Sequence, residues 1–415
     1  MLDRREFMGR TLQGASLLAA GGVVPQFLAN TARAAEAGKD SILVVIELTG
    51  GNDGLNTVIP YADDLYHKAR PTLRHTKEQV VRVDDHIGLN PAMGGLAPLL
   101  KRGDLAIVQG VGYPNPDRSH FESMDVWQSA DPKRQNSSGW IGRSVPGLQD
   151  RKGNVPVLQI GPNKLPLALQ GAPGGVVSIN EQQTYKLELG SGDAVKQKVR
   201  RKLLEDLAQP STPANASDLL QFVQRRQLQT YTTLDRLQEV LAKPDDQQNW
   251  QQAYNTFGQK LGLIGKLIRK DLGTRVFYLS HDGFDTHSGQ ATPHEKLLGE
   301  LANGLNSFFQ ELQSSGHDKR VVALTFSEFG RRVQENGSKG TDHGAASCLF
   351  VAGPAVKGGP VGAHPSLKDL DSGDLKHHTD FRRVYATLLD RWLGVESRTV
   401  LGATFEPLDL LKGKV

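Results

Sequence analysis

A single cysteine, Cys348, stands in 415 residues. That excludes an internal disulfide framework and any zinc module built from paired cysteines. Excess charge of one sign is also missing, because 49 Lys and Arg against 45 Asp and Glu leave a net charge of only +4. The one basic run, Lys196 to Lys202, reads as the solvated face of a helix. No nucleic-acid partner is therefore expected. Aromatics are sparse at 6%, yet 38% apolar residues allow a large core and exclude a disordered chain. The 45 Gly and 21 Pro are dispersed without a period, which excludes collagen-like and low-complexity classes. No G-x-S-x-G elbow, P-loop or G-x-G-x-x-G occurs. The common serine esterases, NTPases and Rossmann dehydrogenases lose support accordingly.

What is present begins at the N-terminus. Asp3-Arg4-Arg5-Glu6-Phe7-Met8 precedes an apolar stretch, Leu12 to Leu28, and Ala32-Arg33-Ala34 follows it. A positive start, a short apolar region and a small-x-small site predict a signal peptide over residues 1–34, cut after Ala34. Arg4-Arg5 with Phe7 points to the twin-arginine export machinery as a partner and to a periplasmic or secreted protein. The stretch holds about 17 residues and is broken by Gln13, Pro25 and Gln26, so no stable membrane anchor is expected. Its removal takes away Arg4, Arg5, Arg10 and Arg33 with Asp3 and Glu6, leaving a nearly neutral mature chain.

Six apolar runs of strand length follow: Ile42–Leu48, Leu105–Gln109, Val155–Ile160, Arg275–Leu279, Val321–Phe326 and Cys348–Val351. Most are continuous, as suits strands buried on both faces of a parallel sheet. Helical patterns separate several of them, at Met93–Lys101 and Glu295–Gln313, and Asp380–Leu393 follows the last. This alternation predicts an α/β fold, a doubly wound and mostly parallel sheet, over residues 35–415. Between about 193 and 271 only the helical period remains, with Pro210, Pro213 and Pro244 at the breaks. A helical insert packed on the sheet is expected there.

The histidines gather late, eight of the 12 lying between His281 and His378. Acids accompany them, in His281-Asp282-Gly283-Phe284-Asp285-Thr286-His287, in Asp342-His343 and in His377-His378-Thr379-Asp380. In open α/β sheets ligands bind at the carboxyl ends of strands. Asp53, Asp282 and Glu328 all follow expected strands. Carboxylates and imidazoles converging there would suit one or two divalent ions such as Zn, Mn or Ca. Each has a plainer role open to it, Asp53 as an Asx turn and Asp342-His343 as a solvated loop. His294-Glu295 begins like a zincin helix, but Leu298 takes the place of the second histidine, so that motif fails.

Asn115-Pro116-Asp117-Arg118-Ser119-His120-Phe121-Glu122 follows the second run at an expected helix start. A hydroxyl among free N–H donors makes Ser119 a candidate nucleophile and Arg118 a candidate anion contact. The alternative is that Asp117 or Ser119 merely caps the helix.

Together these segments resemble the bacterial domain-of-unknown-function 1501 family. They are the twin-arginine start, Val44-Val45-Ile46-Glu47-Leu48-Thr49-Gly50-Gly51-Asn52-Asp53-Gly54, Arg118-Ser119-His120-Phe121, and Asp282-Gly283-Phe284-Asp285-Thr286-His287. Thr325-Phe326-Ser327-Glu328-Phe329-Gly330-Arg331, Gly340-Thr341-Asp342-His343-Gly344 and His378-Thr379-Asp380-Phe381 complete the set. That family is similar to the alkaline phosphatase and sulfatase superfamily. The resemblance implies an alkaline phosphatase-like sheet with one or two metals held by Asp53, Asp282 or Asp285, His287, Asp342, His343 and His378 or His377, and with Ser119 as nucleophile. Two departures stand out. The Asp285-x-His287 and Asp282-x₄-His287 spacings differ from the superfamily's Asp-x-x-x-His, and Glu328 closes the strand where the superfamily has its Asp-His pair. Either Glu328 joins the ligands, or the centre is remodelled to bind one metal or none.

The function expected is an exported metal-dependent hydrolase of phosphate, phosphonate or sulfate esters, small-molecule or glycan. The sulfatase mark C/S-x-P-x-R is absent around Ser119. The alternatives are a non-catalytic envelope binding protein on the same scaffold, with a structural metal or none, and, more weakly, a metal-free serine hydrolase.

Overall fold

The structure is a computed structural model that describes residues 40–148, 155–161, 164–173, 176–179 and 256–413, with Lys202. The expected signal over 1–34 and most of the expected insert over about 193–271 lie outside these residues. Among the described residues nine strands form one sheet: β1 Ile42–Thr49, β2 Leu105–Gly112, β3 Val157–Ile160, β4 Val177–Ile179, β5 Val276–Asp282, β6 Val321–Phe326, β7 Ser347–Ala352, β8 Gly359–Val361 and β9 Thr379–Asp380. Their order is β8-β2-β7-β6-β1-β5-β3-β4, and β9 also pairs with β2. Only β7 runs against its neighbours. All six apolar runs are strands of this sheet, and the fold is α/β. The three strands the runs did not announce are β4, β8 and β9, which are too short to show a pattern.

β1 reads ILVVIELT and is buried along all but its last residue, as a central parallel strand must be. Alternation divides its side chains between two layers. Val44, Ile46 and Leu48 pack with Leu261, Ile264, Leu298 and Leu305. Those residues come from α4 Phe257–Arg269 and α5 Ala291–Ser314. Leu43 and Val45 face Trp127, Trp140 and Tyr385. These lie on α2 His120–Ser129, α3 Trp140–Leu148 and α6 Phe381–Thr387. A short helix, α1 Asp64–Ala69, belongs to a smaller cluster around Leu55, Tyr61, Tyr66, Leu367 and Leu375.

Local signals set the boundaries. A capping box between Thr256 and Gln259 opens α4. The Asp380 carboxylate accepts the Arg382 N–H to open α6. The helical pattern expected over Asp380–Leu393 continues beyond α6 as a π-helical turn, Leu388–Leu393. No helix of the described residues is long and apolar enough to cross a membrane.

With β1, β2, β5 and β6 parallel, their carboxyl ends share one edge of the sheet. The segments 50–53, 113–119, 283–287 and 327–331 leave from that edge, and β7 enters from it, just after His343. Gly50 and Gly51 have φ of +120° and +74°, in the left-handed region that favours glycine. A side chain at Gly50 would collide with the Phe284–Asp285 backbone, and one at Gly51 with the Phe329 ring. Three of these segments are thereby packed against each other.

Candidate metal centre

Sequence separation gives no hint that His120, Asp285 and His343 meet. The topology brings one ligand atom of each within 4.8 Å of the others. His120 opens α2, Asp285 follows β5, and His343 precedes β7. His287 joins them, its Nε2 lying 3.0 Å from Asp285 Oδ1 and 2.9 Å from His343 Nε2. His343 Nε2 is 3.2 Å from Asp285 Oδ1, and His120 Nε2 is 3.5 Å from Asp285 Oδ2.

Each imidazole is aimed from behind by an acceptor. His120 Nδ1–H donates to Glu328 Oε1 at 2.8 Å, His343 Nδ1–H to the Arg118 carbonyl at 2.8 Å, and His287 Nδ1 faces Asp342 Oδ1 at 3.4 Å. In the neutral rings this leaves every Nε2 with a lone pair turned toward Asp285. Metal-binding histidines are held in this way. His120 Nε2 is buried without a hydrogen-bond partner among the described residues. Two lone pairs facing at 2.9 Å, as in His287 and His343, need a proton or a metal cation between them. The donor set therefore fits a divalent ion with mixed N/O ligands.

Charge around the cluster is arranged by burial and pairing. Burial works to raise the Asp285 carboxyl, but the Arg331 hydrogen bond at 2.7 Å, the His343 hydrogen bond and the charges of Arg331 and His287 together outweigh it and hold it at about 2. The hydrogen bond that His120 donates to Glu328 raises His120 above the ordinary histidine value, whereas burial lowers His343. Arg331 is itself buried, and its Nε and Nη atoms donate to the carbonyls of Gly51, Thr341, Gly50 and Phe284. One guanidinium thus ties together the segments after β1, β5 and β6 and the one before β7.

The expected site residues fall into three groups. Asp285 and His343 are in the cluster, with His287 beside them. Glu328 and Asp342 stand behind it, because their oxygens hold His120 and His287; Glu328 Oε1 also accepts the Gly50 N–H at 2.8 Å. Asp53, Asp282 and His378 are not brought to the cluster, a correction to the ligand set expected of them. Asp53 is buried in an ion pair with Arg70 at 2.6 Å. Asp282 ends β5 on the surface, and the sharp turn at Gly283 (φ +108°) separates it from Asp285. His378 spends both ring nitrogens elsewhere, on the Ala363 carbonyl at 2.8 Å and the Thr379 hydroxyl at 3.0 Å.

Ser119 is the residue that precedes α2, but its side chain makes no capping hydrogen bond. Asp117 instead accepts the Ser119 N–H at 2.7 Å. The hydroxyl sits in the chain between Arg118, whose carbonyl receives His343, and His120. Arg118, expected as an anion contact, pairs its guanidinium with Asp374 at 2.5 Å.

His120, Arg331 and Arg70 were not foreseen as site residues. A signal existed for His120, which lies in the same Arg118-Ser119-His120-Phe121 segment as Ser119. None existed for the two arginines, since only folding reveals which carboxylate an arginine meets.

The family model described as a protein of unknown function, DUF1501, matches residues 40–404. The chain belongs to that family. No curated protein matches it. Among solved structures it is similar to the lipoteichoic acid synthase LtaP from Listeria monocytogenes, at 10% identity and a TM-score of 0.39, over 90% of this chain and 77% of that one. The PsFucS1 sulfatase from Pseudoalteromonas sp. gives 9% identity and a TM-score of 0.39, over 94% of this chain and 78% of that one. The alkaline phosphatase from the Antarctic bacterium TAB5 gives 7% identity and a TM-score of 0.30, over 76% and 92%.

Proposed function

We propose that this family member is an exported metal-dependent hydrolase of phosphate, phosphonate or sulfate esters. The observation that carries the reading is the convergence of three imidazole Nε2 atoms on Asp285, each ring held from behind through Nδ1. His120, Asp285 and His343 would hold the ion, with His287 as a further donor. When bound, a divalent ion supplies positive charge to polarise the ester's oxygens.

The chain's own groups do the rest. Ser119 carries a hydroxyl that makes no capping hydrogen bond, ahead of the first N–H groups of α2, a position that favours anions. Its oxygen would attack phosphorus or sulfur and give up its proton to water. The bond to the leaving alcohol breaks, and the alkoxide takes a proton from solvent. Water then cleaves the ester on Ser119 and restores the hydroxyl. Arg331 adds a buried positive charge beside Asp285 and keeps that carboxylate ionised. Arg4-Arg5 and Ala32-Arg33-Ala34 support export by the twin-arginine route.

The pairing of Arg118 with Asp374 favours a second reading, in which the same scaffold binds without turnover, because the expected anion contact is already satisfied. Both readings are tested on chain purified without chelator. Retained metal together with turnover of aryl phosphates or aryl sulfates supports the hydrolase. Retained metal without turnover across the panel supports the binding protein with a structural metal, and absence of metal removes the hydrolase and leaves only a metal-free binding protein.

A further inference from the structure

Taking the metal-centre reading as its basis, we propose that Asp53 is a positioning residue whose resident cation is Arg70, and that the centre takes a single divalent ion. Asp53 is fully buried. Its Oδ1 receives the Asn56 N–H at 3.4 Å and Arg70 Nη2 at 3.1 Å. Its Oδ2 receives Arg70 Nη1 at 2.6 Å and the Gln290 amide. A carboxylate offers about four lone-pair directions, and here each has a donor. No direction is left for a metal.

Arg70 is equally committed. Beyond Asp53, its Nε donates to the Val333 carbonyl at 2.6 Å and its Nη2 to the Arg332 carbonyl at 2.8 Å. A divalent ion on Asp53 would have to lie against this buried guanidinium, where like charges repel strongly for want of solvent screening. The pair occupies the place after β1 where a second ion would otherwise find a carboxylate.

The pair nevertheless reaches the centre through hydrogen bonds. Gln290 gives its amide N–H to Asp53 and accepts the Thr341 hydroxyl on Oε1 at 2.5 Å. Thr341 directly precedes Asp342 and His343, and its carbonyl takes Arg331 Nη1 at 2.8 Å. From the other side, Arg70 grips the two residues that follow Arg331. Asp53 thereby fixes the backbone that presents His343 and the guanidinium that holds Asp285, without touching either.

The test strips the full chain with chelator, adds back Co²⁺, counts retained ions by elemental analysis and records the visible ligand-field spectrum. Wild type should retain one ion per chain. Asp53→Asn and Gln290→Leu should also retain one ion with the same visible band, at an affinity weakened about 10–100-fold, as outer-shell changes do. His343→Ala should retain none. Two ions in wild type would overturn the proposal while leaving the metal centre standing. So would loss of the ion or a changed band in folded Asp53→Asn. Should that variant not fold, Gln290→Leu decides, since it spares the Asp53–Arg70 pair, and unchanged affinity there refutes the positioning role. No ion in wild type defeats the metal-centre reading itself and this proposal with it.

Discussion

His120 Nδ1 and Glu328 Oε1 lie 2.8 Å apart, although 208 residues separate them in the chain. The same oxygen accepts the Gly50 N–H at 2.8 Å, and Oε2 meets the Ser327 hydroxyl at 3.0 Å. A single buried carboxylate therefore joins the start of α2 to the segments following β1 and β6. Glu328→Gln keeps the shape and should lower metal affinity about 10–100-fold by loosening His120. Glu328→Ala also strands buried donors and should cost about 1–3 kcal/mol of folding stability. Metal titration and urea unfolding read the two effects separately. Unaltered affinity in both variants would detach Glu328 from the centre.

Arg331 is buried and serves carbonyls from three segments besides Asp285. Arg331→Leu strands the carbonyls that the guanidinium serves and should destabilise the fold by about 1–3 kcal/mol, the range for buried acceptors left without a donor. Arg331→Lys keeps the charge without the fork and should fall between wild type and the leucine variant. Equal urea midpoints for all three chains would contradict the clamp.

Acid should act on stability through Asp53. Burial alone would raise this carboxyl, but Arg70 outweighs burial and holds it at about 2, below the ordinary 3.8. A depressed folded-state value means the stabilisation is fully present above the unfolded value and lost as pH falls through the folded one. A shift of that size corresponds to about 2 kcal/mol, lost between about pH 4 and pH 2. Unfolding free energies measured across that window should fall less steeply in Asp53→Asn. An identical slope would deny the pair this role.

Ser119→Ala separates chemistry from capping. A capping hydroxyl is worth about 1 kcal/mol, but Ser119 makes no capping bond, so the melting temperature should hardly move. Loss of a nucleophile should cut turnover by orders of magnitude. A variant that stays active on a substrate the wild type hydrolyses would leave water as the attacking group.

Export is checked independently of the site. A folded reporter fused behind residues 1–40 should be exported, and replacement of Arg4 and Arg5 by Lys should strand it in the cytoplasm. Undiminished export of the lysine pair would assign the signal to another route.

The strands were legible because burial on both faces leaves an unbroken apolar run, as in Val44-Val45-Ile46, whatever the rest of the chain does. Helix α5 was legible for the same reason, its buried residues repeating along one face. The carboxyl-end segments could also be named, since each follows its strand directly: Asp53 after β1, Asp285 after β5, Glu328 after β6. Partnership was not legible. Asp53 and Asp285 are both acids just beyond a strand, yet one is closed by Arg70 and the other faces three imidazoles. That difference depends on where Arg70 from the end of α1 and His120 from the start of α2 arrive. Electrostatic pairing is set by distance in space, and only the order and direction of the strands bring residues 70 and 53, or 120 and 343, within reach. Sequence determined which groups stand at the edge of the sheet; tertiary structure alone decided which of them neutralise one another and which remain open to an ion.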